Sequence, residues 1–127
     1  MSGLVDVCAL DELEEGVPAV KRAGNRELVL ARWRGEVFAL RNVCPHQSQS
    51  FMCGNVHPRL RGSSAPGGLI ADAADPVLAC PWHTWEFRLQ DGRCTTDPQL
   101  RVATYPVGVE NGRVLVDLRP KRARVAA

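Results

Sequence analysis

The sequence predicts an all-β fold, an antiparallel barrel or sandwich, and three observations carry that expectation. Short apolar stretches separated by Gly-containing turns recur about every eight to twelve residues through the first forty positions. The pattern returns near the C-terminus around Asn111-Gly112, a strong short-range hairpin signal. Between the halves, residues 42–79 hold Pro45, Pro58, Pro66 and Pro76 and a Gly/Ser/Ala run at 62–68. That middle reads as one large irregular loop rather than core, and such loops in compact domains are functional or disordered.

The elements follow in order. After a first strand, Leu10 to Glu14 is the only weakly helical segment, about one turn long. Val17 to Ala23 reads as a strand, Gly24-Asn25 as a turn, and Glu27 to Trp33 as the returning strand. Arg34-Gly35 turns again and Glu36 to Leu40 runs back. Past the irregular middle, Val102 to Val109 and Val114 to Leu118 flank Asn111-Gly112, where both central residues need positive φ.

Composition bounds the function. A chain of 127 residues is one domain and leaves no room for a dinucleotide-binding fold, which excludes a flavin or nicotinamide reductase. No apolar run reaches the roughly 20 residues of a membrane-spanning helix, so no membrane partner is expected. The opening residues lack the basic-then-apolar layout of a secretory signal, which makes the cytoplasm the expected compartment. The net charge of +2 conceals an asymmetry: Arg119, Lys121, Arg122 and Arg124 form a basic tail, leaving 12 basic against 14 acidic residues over 1–118. A slightly acidic body gives no footprint for nucleic acid. The tail, residues 119–127, is expected to be solvated and mobile.

Five cysteines in a chain without an export signal suggest metal or redox chemistry rather than a disulfide framework. Cys44-Pro45-His46 opens the irregular excursion and Cys80-Pro81-Trp82-His83 closes it. Each brings one thiolate and one imidazole onto a tight turn, stiffened by a proline that fixes φ beside the ligand. Two Cys and two His are enough for one metal centre. Either motif alone is weak evidence; the two together are strong.

At these residues the sequence resembles the Rieske [2Fe–2S] proteins, and among them the soluble ferredoxins of aromatic-ring oxygenases. The matching text is CPHQ at 44–47 and CPWHTWEFRLQDG at 80–92, with Trp85, Phe87 and Leu89 spaced like the strand after the second ligand loop. The segment Val37 to Asn42 before the first loop is similar too. The resemblance implies a single Rieske domain over residues 1–118. Its base would be 1–41 and 93–118, and its cluster-binding subdomain 42–92. It implies that Cys44 and Cys80 hold one iron as thiolates and His46 and His83 the other. Their imidazoles would ligate through Nδ1, with Nε2 at the exposed tip as the electron's exit. Replacing two thiolates by imidazoles puts such clusters between about −150 and +300 mV. The loop-tying disulfide of high-potential members would need cysteines at positions 49 and 82, here Gln49 and Trp82. Their hydroxyl donors would stand at 85 and 87, here Trp85 and Phe87. Fewer hydrogen bonds to the cluster leave its reduced state less stabilised, so the low end of the range is expected.

The chain departs from the family in three places. Ser48 and Thr84 stand where glycines are usual, and the 33 residues between His46 and Cys80 are more than usual. Residues 54–76 read as an insertion: a flap beside the cluster, a partner-contacting loop, or a mobile surface segment. A catalytic oxygenase subunit also needs a mononuclear iron on two histidines and a carboxylate. Three histidines with two assigned leave only His57, so that site cannot be built. The expected role is therefore a one-electron carrier between a flavin-dependent reductase and a terminal non-haem iron oxygenase, and not an enzyme by itself. Two alternatives stand beside it: a small Rieske subunit of a larger cytoplasmic oxidoreductase such as nitrite reductase, and a zinc-stabilised binding module. Outside the ligand set, His57 is expected at the surface. Cys8 and Cys94 are expected half-buried in strands, Cys53 as a spare thiol, and Trp82 and Trp85 as shields over the cluster. Asp72, Asp75, Glu86 and Asp91 are expected as solvated charges.

Overall fold

The computed structural model describes residues 4–43, 50–51, 54–62, 68–80, 85–97 and 99–118. Among the described residues ten strands follow one another: β1 (Leu4–Ala9), β2 (Ala19–Ala23), β3 (Arg26–Trp33), β4 (Glu36–Arg41), β5 (Asn55–Gly62), β6 (Leu69–Ala79), β7 (Glu86–Arg88), β8 (Thr104–Tyr105), β9 (Val107–Glu110) and β10 (Arg113–Asp117). A 3-10 turn, Leu10–Glu12, lies where the weak helical segment was expected. The strands form three antiparallel sheets in the orders β1-β10-β9, β2-β3-β4-β8 and β5-β6-β7.

The base matches the expected alternation. Along β3, Val29 and Ala31 face one core while Leu28 and Leu30 face another, and all four are fully buried. A strand covered on both faces shows a continuous apolar run, which is how Leu28 to Ala31 reads. Both hairpin turns take positive φ, Asn111 and Gly112 at 51° and 76° as their types favour, Arg34 and Gly35 at 51° and 85° although Arg rarely adopts it. The stretch Val102 to Val109 divides into β8 and β9 at Pro106, which has no N–H to continue a ladder.

The middle of the chain corrects the sequence reading. Residues 55–62 and 69–79, expected as loop, are the long hairpin β5–β6, with Val56, Val77, Leu78 and Ala79 buried. The ladder runs from Asn55 opposite Ala79 to Pro58 opposite Pro76, then shifts, resuming with Arg59 opposite Asp72. The two prolines that argued against strand sit at that irregularity, where missing N–H groups interrupt least. Ala73, Ala74 and Asp75 are extra residues there, and they dock the hairpin to the rest. The Trp33 indole N–H donates to the Ala73 carbonyl at 2.7 Å, and the Gln90 side-chain amide donates to the Ala74 carbonyl at 2.8 Å. Asp75 is buried rather than solvated, accepting from Arg88 Nε at 3.0 Å and Arg59 Nη1 at 3.4 Å. Charges brought in from β5 and β7 make its burial tolerable. Cys8 and Cys94 are also fully buried, not half-buried.

Candidate metal centre

Two loops leave the strand ends, and the structure shows how each is held at its neck. The first follows β4. Asn42, 3% exposed, points its side chain across the neck: its Oδ1 accepts from the Phe51 backbone N–H at 2.8 Å. Its Nδ2 donates to Ser50 Oγ at 2.9 Å and to Glu27 Oε1 at 3.3 Å. Phe51 O then accepts from Gly54 N at 2.8 Å, turning the chain into β5. The second loop joins β6 to β7. Cys80 N donates to Trp85 O at 2.7 Å, which closes that loop at its base directly beyond the Ala79–Glu86 pair of the ladder.

The two necks meet. Phe51, just after the first loop, and Phe87, in the strand after the second, are fully buried and touch edge-to-face with centroids 5.7 Å apart. Such an arrangement favours the ring quadrupoles as well as burying area. Cys80, 1% exposed, belongs to the same core cluster, together with Val29, Leu40 and Leu78, and Trp85 packs against it partly buried. The core at the loop necks therefore joins the base sheet, β2-β3-β4-β8, to the β5-β6-β7 sheet.

Of the four expected ligands, Cys80 is described, a free buried thiol at a loop neck. Cys44, His46 and His83 lie outside the described residues, as do Cys53 and Trp82. His57 is half-buried, with Nε2 3.1 Å from Glu86 Oε2 and Nδ1 2.8 Å from the Pro58 carbonyl oxygen. Both its ring nitrogens face protein oxygens. Glu86, expected as a solvated charge, is instead its half-buried partner. Sequence reasoning missed Asn42 as the clamp of the first loop. The available signal was its type and place: an Asn at a strand end, where side-chain-to-backbone bonding is favoured, two residues before Cys44.

The model of the Rieske [2Fe–2S] domain matches residues 3–106. This chain belongs to that family. The cofactor it carries is accordingly the family's [2Fe–2S] cluster. The Cys80 thiol, buried where the two loop necks meet, fits such a group, since thiolates and imidazoles are its usual donors. The protein is 32% identical over 116 residues to the ferredoxin component of the alkene monooxygenase system of Xanthobacter autotrophicus, covering 91% of this chain and 82% of that one. Among solved structures it resembles the ferredoxin of carbazole 1,9a-dioxygenase from Nocardioides aromaticivorans, with TM-score 0.72 and 27% identity over 90% of this chain and 96% of that one. A Mycobacterium tuberculosis protein assigned as NADH-dependent nitrite reductase small subunit gives TM-score 0.74 at 27% identity, covering 100% of this chain and 99% of that one. No helix among the described residues is long and apolar enough to cross a membrane.

Proposed function

We propose that this Rieske protein is a one-electron carrier, taking electrons from a flavin-dependent reductase and delivering them to a terminal non-haem iron oxygenase in the cytoplasm. Cys44 and Cys80 hold one iron through thiolates, and His46 and His83 hold the other through imidazoles. The bound cluster supplies a one-electron couple. The chain's own residues hold the two loops at fixed separation and keep water from the buried side. The observation that carries this reading is the union of both loop necks on one core, Phe51 against Phe87 with Cys80 beside them. The relation to a monooxygenase ferredoxin over most of both chains supports the same role. The protein is not an enzyme by itself on this reading: His57, the one histidine left over, is held by Glu86.

The test is spectroscopic and kinetic. The purified protein should show the visible absorption of the cluster with two irons and two sulfides per chain, the stoichiometry of a [2Fe–2S] centre. A flavin-dependent reductase with NADH should bleach it, and an oxygenase should restore the colour. Cys80→Ala and His83→Ala should remove the absorption while leaving the base sheets folded. Loss of colour in neither variant would overturn the ligand assignment.

A second reading has its own observation. The nitrite reductase small subunit matches this chain from end to end, which a fixed subunit of such an enzyme would also do. Gel filtration separates the two: a carrier elutes alone and meets its partners transiently, whereas a subunit co-elutes with the large chain.

A further inference from the structure

At the end of the base sheet lies an open groove of about 560 Å³, lined by Arg22, Arg26, Glu27, Arg41, Val43 and Tyr105. Three guanidinium groups face a single carboxylate there. Arg22 reaches Glu27 only loosely, at 3.9 Å, with both side chains more than half exposed. Among the described residues, neither Arg26 nor Arg41 has a carboxylate within ion-pair distance. The ladder puts these two on one face of the sheet, since Arg41 stands opposite Leu28, two residues along β3 from Arg26. The surplus is positive on a body whose residues 1–118 carry more acid than base.

Two further observations say what the groove faces. Its wall at Val43 ends one residue before Cys44, so it adjoins the first ligand loop. Its wall at the β2–β3 turn lies beside Leu118, whose Cδ1 is 4.0 Å from where a Cβ on Gly24 would stand. Arg119, Lys121, Arg122 and Arg124 follow Leu118 in the chain. Exposed arginines spread along an open groove suit a broad carboxylate-bearing surface better than one small anion. Complementary charge of this kind raises encounter rates and fixes orientation.

We infer that this groove docks an acidic surface of the redox partner and brings it against the first ligand loop. The inference rests on the carrier reading and adds the chemistry of the docking face. It is tested on the cluster-loaded protein with two protein probes of opposite charge, reduced flavodoxin as an acidic electron donor and cytochrome c as a basic electron acceptor. Arg26→Glu/Arg41→Glu should keep the cluster absorption, because both side chains are exposed. At low ionic strength it should slow reduction by flavodoxin by about tenfold or more and speed oxidation by cytochrome c. Added chloride should erase both differences. Rates that do not change between wild type and variant, or that change alike for both probes, overturn the docking face and leave the carrier reading standing. A loaded cluster that exchanges electrons with neither probe overturns both. Suppression by phosphate but not by chloride at matched ionic strength would assign the groove to a small anion and also overturn it.

Discussion

Asn42 is the residue whose removal should tell most about the first loop. Asn42→Ala takes the acceptor away from the Phe51 backbone N–H, a buried donor that the shortened side chain cannot reach. An unsatisfied buried donor costs about 1–3 kcal/mol, and the lost bond to Ser50 adds about 1 kcal/mol. The sum is about 2–4 kcal/mol. At about 4 °C per kcal/mol for a domain of this size, the temperature at which the visible absorption disappears should fall by about 8–16 °C. Asn42→Asp separates the two halves of the clamp. It keeps the acceptor for Phe51 but sets a second carboxylate against Glu27 Oε1, now 3.3 Å from Asn42 Nδ2. Glu27 is half exposed, so that repulsion should cost only about 1 kcal/mol, and Glu27→Gln should relieve it. The assay is thermal bleaching with far-UV circular dichroism recorded in parallel. If Asn42→Ala bleaches at the wild-type temperature, the clamp has no part in holding the first loop.

The other expectations concern the core, an alkaline limb and the potential. Asp75→Ala leaves Arg59 and Arg88 facing each other without their shared carboxylate. Because both arginines are partly hydrated, urea titration should show a loss of about 2–3 kcal/mol, the range for charge-assisted bonds, and a loss under 0.5 kcal/mol would contradict the network. Burial pushes the Cys8 thiol above its ordinary pKa, with Glu12 adding to the effect. The folded state thus keeps a neutral thiol where the unfolded chain ionises: Cys8 contributes fully below about pH 8.5, and stability falls as pH rises beyond it. Cys8→Ala should flatten that alkaline limb, and an unchanged slope would show that another group causes it. The midpoint potential should lie near the low end of the family's range, about −150 mV. Redox titration giving a positive potential would mean that other donors replace the hydroxyls absent at Trp85 and Phe87.

The base was legible because its signals are local. Apolar stretches bounded by Gly-containing turns define β2, β3 and β4, and Gly24 and Gly35 in those turns carry positive φ. The hairpin β5–β6 was hidden because its stabilising partners are remote. Pro58 and Pro76 are poor strand residues on any local scale, yet they occur opposite each other at a ladder shift, where neither N–H is needed. Asp75 reads as a surface acid until β5 and β7 bring Arg59 and Arg88 to it across 16 and 13 residues. The ligand motifs were legible in type and spacing. What holds their loops was not, since the Asn42–Phe51 bond and the Phe51–Phe87 contact exist only in the folded chain.

The two loops arise from different sheets, and this decides which residues matter for the centre. The first leaves β4 of the base, and the second connects β6 to β7 of the third sheet. With the proposed ligands on these loops, their separation is set by how those sheets are fixed to each other. Among the described residues the ties include the shared core around Leu40 and Leu78, the Trp33–Ala73 hydrogen bond, the Phe51–Phe87 contact and the packing around Gly92. Gly92 has φ of 75° and donates to Arg88 O, while its own carbonyl accepts from Val102 N. A Cβ there would run into the Val102 carbonyl oxygen, so only glycine lets the chain after β7 lie this close to the segment entering β8. A side chain at that point would spread the two sheets, and with them the loops. The precision of the metal centre thus resides partly in residues that touch no ligand.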